Sequence, residues 1–486
     1  MHKEGKGLTA GQLTMMALGC VIGGSFFLGT AVAINAAGPG VIISYILCGI
    51  VVHFILYAIS EMTINNPDSG SFRTFAARAF GKGTGFVVGW VYWTGMALAM
   101  SSEATAVSIL LREWYPNISI PIVGSIIIIS VTLMNLLGAK RLSKLESALA
   151  AVKIFAIVFF IIMAIMLIVG LFPGKTAVGL GALANEKLFP GGLAGIAGSL
   201  LIVIFSYAGF EIIGLAASET DKPNVIVPKA IRRTVLSLLG LYIVSYAVIL
   251  PLIPTASIGT DRSPMVAALN SAGFGWAGAA VNIVLITAIL STMLAAMFGL
   301  GRMMRSLVDE GLAPELLKDK TDVPYRGILI SGFAMLLGLG FALLAPQIYL
   351  FLISAGGFAI LFTYVAIMAT HIRFRIKNGK PNPEDFQMRG FPYSSLFVLL
   401  FLLASIISMP FIAGQASGLL AGIILVAFYS LCYLIMKMFK TARKEDNAYK
   451  GHYREKYSTE FSKELYDYNK ESDYDKDYDF DEDDGD

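Results

Sequence analysis

The stretch Gly19-Cys20-Val21-Ile22-Gly23-Gly24-Ser25-Phe26-Phe27-Leu28-Gly29 lies inside an apolar run from about Leu13 to Ala36. Its glycines and serine interrupt a segment otherwise long enough to cross a bilayer. A second interruption, Phe205-Ser206-Tyr207-Ala208-Gly209-Phe210-Glu211, lies inside the run from about Leu193 to Ala217. Hydrocarbon holds no water, so every backbone N–H and C=O at that depth must find a partner within the protein. Unwound backbone survives there only when it is buried in protein or lines a cavity. A pair of such breaks, in corresponding spans of two halves, points to the solute site of a secondary transporter.

The rest of the chain fits a membrane setting. Its 486 residues are 56% hydrophobic and 15% charged, with a mean hydropathy of +0.70. Soluble domains carry about a quarter charged residues, so a soluble globe is excluded. Apolar runs of roughly 18 residues or more predict twelve spans, at about 13–36, 40–63, 84–111, 120–138, 146–171, 193–217, 234–254, 274–303, 327–345, 348–371, 394–413 and 416–438. The third and eighth exceed the bilayer thickness and are expected to tilt. The start, His2-Lys3-Glu4-Gly5-Lys6, carries no small-residue cleavage site and is expected to be retained. Cys20, Cys48 and Cys432 fall inside apolar spans and read as small buried hydrophobes; nothing suggests a metal or another cofactor.

Lys and Arg set the orientation. With the N-terminus inside, the inner loops hold twenty basic residues, including Arg73, Lys140, Arg233, Arg326 and Arg375. The outer side holds four: Arg112, Lys175, Lys187 and Arg262. This bias selects cytoplasmic termini on both ends. The formal charge of +3 hides a segregated tail, for Glu471 to Asp486 contains ten acids against Lys476 alone. The segment 439–486 is therefore expected to be a cytoplasmic, disordered, acidic tail, solvating in the simplest case and regulatory or partner-binding in the other.

A broken span opens the chain and another opens at the sixth position. Five spans per unit is an odd number, so two such units have opposite orientation in the membrane, as inverted repeats do. The expected fold is an all-α polytopic membrane protein of twelve transmembrane helices. Its 5+5 inverted repeats, with helices 1 and 6 broken, cover about 13–171 and 193–371. Residues 1–12 form a cytoplasmic N-terminus, and two extra helices occupy about 394–438. Both breaks then face each other near the bilayer midplane.

A broken helix suits an amino acid zwitterion. Exposed N–H groups at the start of one half-helix attract a carboxylate, and free carbonyls at the end of the other accept from an ammonium. Gly23 and Gly24 allow close backbone approach, and Ser25 adds a hydroxyl. Gly19 and Gly23 also form a Gly-x-x-x-Gly packing motif, which is the competing structural reading. Three charges lie deep in spans: Lys153, Glu103 and Glu211. Lys153 lies nine residues past Lys144, ~13 Å along a helix. An intramembrane charge costs at least ~2.5–3.5 kcal/mol on insertion scales, which makes each a coupling or gating candidate. The bland alternatives are snorkelling for Lys153 and a backbone cap for Glu211. His53 reads as a satisfied buried histidine, Glu61 and Glu219 as helix caps or partners of nearby bases, and Trp90 and Trp93 as interface belt or packing.

The runs Ile22-Gly23-Gly24-Ser25-Phe26-Phe27-Leu28-Gly29, Phe205 to Gly214, Ala216-Ala217-Ser218-Glu219-Thr220 and Ile226-Val227-Pro228-Lys229-Ala230-Ile231 resemble the amino acid transporter family of the amino acid–polyamine–organocation superfamily. So do Gly89-Trp90 with Trp93, Glu103, Glu146 with Lys153, Arg302-Met303 with Glu310-Gly311 and Pro314, and Arg373-Phe374-Arg375. The matches run in order from about Leu8 to Met438, leaving only the tail outside. The resemblance implies the five-plus-five inverted-repeat fold and amino acid uptake across the plasma membrane. It implies a carboxylate site on the backbone of Val21, Gly23, Gly24 and Ser25. It implies an ammonium site on carbonyls near Phe205, Ser206 and Ala208. It matches Lys153 to a lysine that takes the place of a sodium ion and couples transport to protons. One departure stands: the family usually carries Gly-Thr-Gly where this chain has Gly23-Gly24-Ser25.

The leading expectation is thus a proton-coupled amino acid importer with a small-molecule substrate, protons and the lipid bilayer as partners, and no role for nucleic acid. An amino acid receptor of the same fold, an exchanger and a sodium symporter are the alternatives. An enzyme is disfavoured, since no nucleophile–base set appears. The acidic tail lacks apolar area to bury, so truncation after Tyr449 is expected to leave uptake per molecule unchanged in vesicles. Loss of uptake at an unchanged protein level would place the tail in the mechanism.

Overall fold

The computed structural model describes residues 8–65, 71–137, 139–215, 220–259, 262–319, 323–344, 347–379 and 386–438. The acidic tail and Glu219 lie outside these residues. The chain divides into a unit of Met1–Tyr433 and a unit of Leu434–Asp486; of the second, only the helical residues 434–438 are described.

Thr9 starts the first helix by a reciprocal cap: its Oγ1 accepts from the Gln12 N–H at 3.3 Å and its own N–H donates to Gln12 Oε1 at 2.9 Å. Helix α1 (Ala10–Val21) then stops where Ile22 turns extended. A π-helical turn, Ser25–Gly29, leads into α2 (Thr30–Ala37). Next come α3 (Val41–Asn65), the short α4 (Ser71–Phe80), α5 (Lys82–Leu111), α6 (Ile120–Asn135) and α7 (Ala139–Val169). The second break separates α8 (Gly192–Phe205) from α9 (Ile212–Leu215). They are followed by α10 (Pro223–Leu252), α11 (Pro264–Ser271), α12 (Gly275–Asp309) and α13 (Tyr325–Ala342). The chain closes with α14 (Ile348–Asn378), α15 (Tyr393–Ser408) and α16 (Ala416–Met438). No strand occurs among the described residues.

Nine helical stretches among the described residues are long and apolar enough to cross a membrane, so this is a multi-pass membrane protein. The difference from twelve has a physical source. Ala10–Val21 and Gly192–Phe205 are apolar but short because each ends at a break, and Ile120–Asn135 is short as well. The helices sort by burial. The spanning windows of α5 and α14 are 72% buried, whereas that of α15 is 33% buried. A helix without a distinct polar face belongs inside a bundle or a bilayer, and α5 has none: its Ser101, Ser102, Glu103, Thr105 and Ser108 are all buried.

Small residues let the central helices approach. Gly95 of α5 meets Ala359 of α14, and a Cβ at Gly356 would lie 3.2 Å from the Gly95 carbonyl. Such close backbones gain dispersion contacts where no hydrophobic drive exists between helix and lipid. Hydroxyls and indoles then fix the register. Trp93 Nε1 donates to Ser331 Oγ at 3.0 Å and Ser101 Oγ to the Met335 carbonyl at 2.8 Å, tying α5 to α13. Trp90 Nε1 donates to the Leu312 carbonyl at 3.0 Å, so both indoles serve packing. On the other side Ser199 of α8 bonds Ser44 of α3 at 2.7 Å.

Two buried ion pairs join the ends of these helices. Arg73 of α4 is fully buried and grips Glu310 through both nitrogens, at 2.7 and 2.5 Å, with Ser306 Oγ at 2.8 Å. Glu61, at the end of α3, does pair with bases: Arg375 at 2.5 Å and His371 at 3.2 Å, both on α14. The Met388 N–H also donates to it at 2.7 Å. Removing one partner of such a pair strands a buried charge. Glu310→Ala is expected to cost about 3–5 kcal/mol, and Arg73→Met combined with Glu310→Leu to recover most of it. Thermal unfolding in detergent measures this; equal losses in the single and double variants would refute the stranded-charge account.

Candidate functional site

The two breaks lie side by side. Ser206 Oγ donates to the Ser25 carbonyl at 3.1 Å, joining them directly. Gly209 has φ +103, and a Cβ there would lie 3.1 Å from the Cys20 carbonyl. That position needs glycine both for its left-handed backbone and for the close approach.

The first break exposes the carboxyl end of α1 and the amino end of the turn that follows. Each end meets a buried charge of the matching sign. Lys153, on α7 and 1% exposed, donates to the Gly19 carbonyl at 2.7 Å and to Thr292 Oγ1 at 2.8 Å. Thr292, on α12, donates in turn to the Ile22 carbonyl at 3.1 Å. Glu103, on α5 and 4% exposed, accepts from the Gly24 N–H at 2.6 Å and from the Ser25 N–H at 3.3 Å. Lys153 and Glu103 thus converge on one interruption from different helices.

The remaining residues singled out in the sequence fall as follows. Val21 is the buried last residue of α1, and Ser25 is buried at the head of the π-helical turn. The Gly23 carbonyl accepts from the Phe26 and Phe27 N–H groups at 3.1 and 3.2 Å, which starts that turn. In the second break the Phe205 carbonyl accepts from the Ala208 N–H at 3.1 Å, and the Ser206 carbonyl accepts from Tyr242 Oη at 2.9 Å. Each carbonyl has a second lone pair for another donor. Glu211 is 1% exposed; its Oε2 accepts from the Gly209 N–H at 2.7 Å and its Oε1 from Tyr364 Oη at 3.1 Å. It therefore stands on the second break, while Lys153 and Glu103 stand on the first.

Several contributors escaped sequence reading. Thr292 looks like any helix-interior threonine, and it also bonds back to the Ala288 carbonyl at 3.3 Å. Tyr349 and Tyr364 both lie on α14; Tyr349 donates to the Gly24 carbonyl at 3.5 Å. A buried tyrosine cluster backs both breaks. Tyr246 bonds Thr30 at 2.8 Å and Tyr45 at 2.7 Å, Tyr207 donates to the Tyr45 carbonyl at 3.0 Å, and Phe26 stacks on Tyr242 at 4.2 Å. A tyrosine reads as an ordinary large apolar residue until its hydroxyl partner is known.

Chemically, the breaks offer backbone donors and acceptors within a dry interior, next to one buried cation and two buried carboxylates. Nothing in this set forms a nucleophile–base pair. It is suited to binding a small charged solute.

Residues 12–448 match the amino acid permease family. The chain is 30% identical over 445 residues to the gamma-aminobutyric acid permease of Bacillus subtilis (strain 168), covering 90% of this chain and 95% of that protein. It is 30% identical over 442 residues to the amino-acid permease RocC of the same organism, covering 88% and 93%. It is 31% identical over 415 residues to the aromatic amino acid transport protein AroP of Escherichia coli (strain K12), covering 85% and 91%. The chain belongs to the amino acid permease family, whose members are transporters and not enzymes.

Proposed function

We propose that this permease imports amino acids across the plasma membrane by proton symport, through twelve spans in two inverted repeats of five, with both termini cytoplasmic. One observation carries the proton reading: the Lys153 ammonium sits on the Gly19 carbonyl and on Thr292, which bonds the Ile22 carbonyl. A cation is needed at the carboxyl end of α1, and lysine supplies one that comes and goes with a proton. While protonated, the ammonium also repels a sodium ion from that spot, which ranks protons above sodium.

In this reading the substrate carboxylate binds the backbone of Val21, Gly23, Gly24 and Ser25. The substrate ammonium binds carbonyls of Phe205, Ser206 and Ala208. Lys153, Glu211 and Glu103 couple or gate. Deprotonated lysine loses its charge and one donor, so the end of α1 loosens and the break is free to change shape. Glu211 ties the second break to Tyr364 of α14 at 3.1 Å, which supports a gating role. Relatives named for gamma-aminobutyrate and for aromatic amino acids make both classes part of the substrate panel.

Lys153→Ala is expected to drop accumulation in an imposed pH gradient to the level of gradient-free proteoliposomes, while counterflow exchange persists in part. Accumulation equal to that of the parent would move coupling to Glu211 or Glu103.

Gly24→Val and Ser25→Val are expected to reduce uptake to background with normal membrane insertion. A Cβ at Gly24 would already lie 2.6 Å from Glu103 Oε2 and 3.1 Å from Ala106 Cβ. Radiolabelled uptake at matched protein level tests this, and parental rates in both variants would remove the break from the site.

A further inference from the structure

The backbone donors that suit a substrate carboxylate already hold one. Both oxygens of Glu103 accept N–H bonds from the first break, Oε2 from Gly24 at 2.6 Å and Oε1 from Ser25 at 3.3 Å. The side chain is 4% exposed and reaches across 79 residues of sequence to do so. Gly24 is shaped for this visitor, since any Cβ there would strike Glu103 Oε2. A carboxyl group that accepts an N–H bond on each oxygen occupies both donors, and the same two donors cannot serve a second carboxylate at once.

We propose that Glu103 is an internal stand-in for the substrate's carboxylate: it fills the anion cradle of the empty transporter and must be displaced on binding. This inference rests on the reading of the Gly24 and Ser25 N–H groups as the carboxylate site. Displacement has a consequence for selectivity. A solute that takes the cradle leaves Glu103 buried and without its donors, so the displaced carboxylate must take up a proton or meet a counter-charge. An amino acid brings an ammonium close to its own carboxylate and offers the displaced Glu103 a counter-charge. Glu103 thus favours, in the cradle, solutes that bring a cation along with their carboxylate. The groups facing it are the first-break backbone, Lys153 from α7, Tyr349 from α14 and Thr292 from α12. Of these only Lys153 is a cation, and it is engaged with Gly19 and Thr292.

The test is chemical rescue with propionate, a short carboxylate one methyl larger than the CH2–carboxylate that Glu103→Ala removes. The full-length protein in nanodiscs is titrated with propionate and with uncharged propionamide, and binding is read from thermal stabilisation. The wild type is expected to ignore both. Glu103→Ala is expected to bind propionate at least about tenfold more tightly than the wild type, because the internal competitor is gone. Propionamide should bind neither. Glu103→Gln keeps the volume and offers a single acceptor, so a smaller gain in the same direction is expected; it decides the matter if Glu103→Ala does not fold. Equal propionate binding by wild type and variants, or none in any, overturns the proposal. The transport reading fails separately. If Glu103→Ala binds propionate but no amino acid taken up by the wild type competes with it, the cradle is occupied as proposed and the substrate carboxylate binds elsewhere.

Discussion

The interruption between Val21 and Ser25 governs this structure. A helix broken inside an apolar bundle exposes carbonyls at one end and N–H groups at the other, and each unsatisfied group costs several kcal/mol where water is absent, roughly as much as a polar group moved into hydrocarbon. The chain meets that demand with two charges beside the neutral hydroxyls of Thr292, Ser206 and Tyr349. Lys153 answers the carbonyl end and Glu103 the N–H end. Neither charge would be tolerable at 1% or 4% exposure without the break, and the break would be unsatisfied without them. The two features are mutually dependent, which is why they share one place.

The second break is held by a different logic. Its carbonyls are met by neutral groups, the Tyr242 hydroxyl and a local N–H, and its one charge, Glu211, is capped by Gly209 and Tyr364. Tyrosine hydroxyls link α2, α3, α10 and the second break into one polar seam inside an apolar wall. Each aromatic ring supplies apolar area to the bundle interior while its single hydroxyl satisfies a backbone or hydroxyl partner. The Ser206–Ser25 bond then ties the seam to the first break.

Two of the basic residues counted among the inner-loop charges lie on helices instead. Arg73 of α4 and Arg375 of α14 are both buried against carboxylates. A guanidinium with a forked partner tolerates burial better than an ammonium, because its planar donors match both carboxylate oxygens. These pairs connect α4 to α12 and α3 to α14 near the helix ends, leaving the middle of the bundle to the breaks.

Much of this was legible in the sequence. Glycine clusters inside long apolar runs located both breaks, depth in the spans singled out Lys153, Glu103 and Glu211, which the structure buries at those breaks, and ordered motifs identified the family. Composition and periodicity are local properties, so a single chain displays them. The pairing was not legible. Whether Lys153 meets Gly19 across 134 residues, or Glu103 meets Gly24 across 79, depends on how packed helices rotate and slide against one another. That register is set by contacts such as Gly95 on Ala359, Trp93 on Ser331 and Thr292 against Ile22, each between distant segments and none with a periodic signature. Sequence alone determines which groups need partners, because backbone and charge cannot stay bare in an apolar interior. Only the tertiary packing chose the partners, because a hydrogen bond reaches about 3 Å and helix register decides who comes that close.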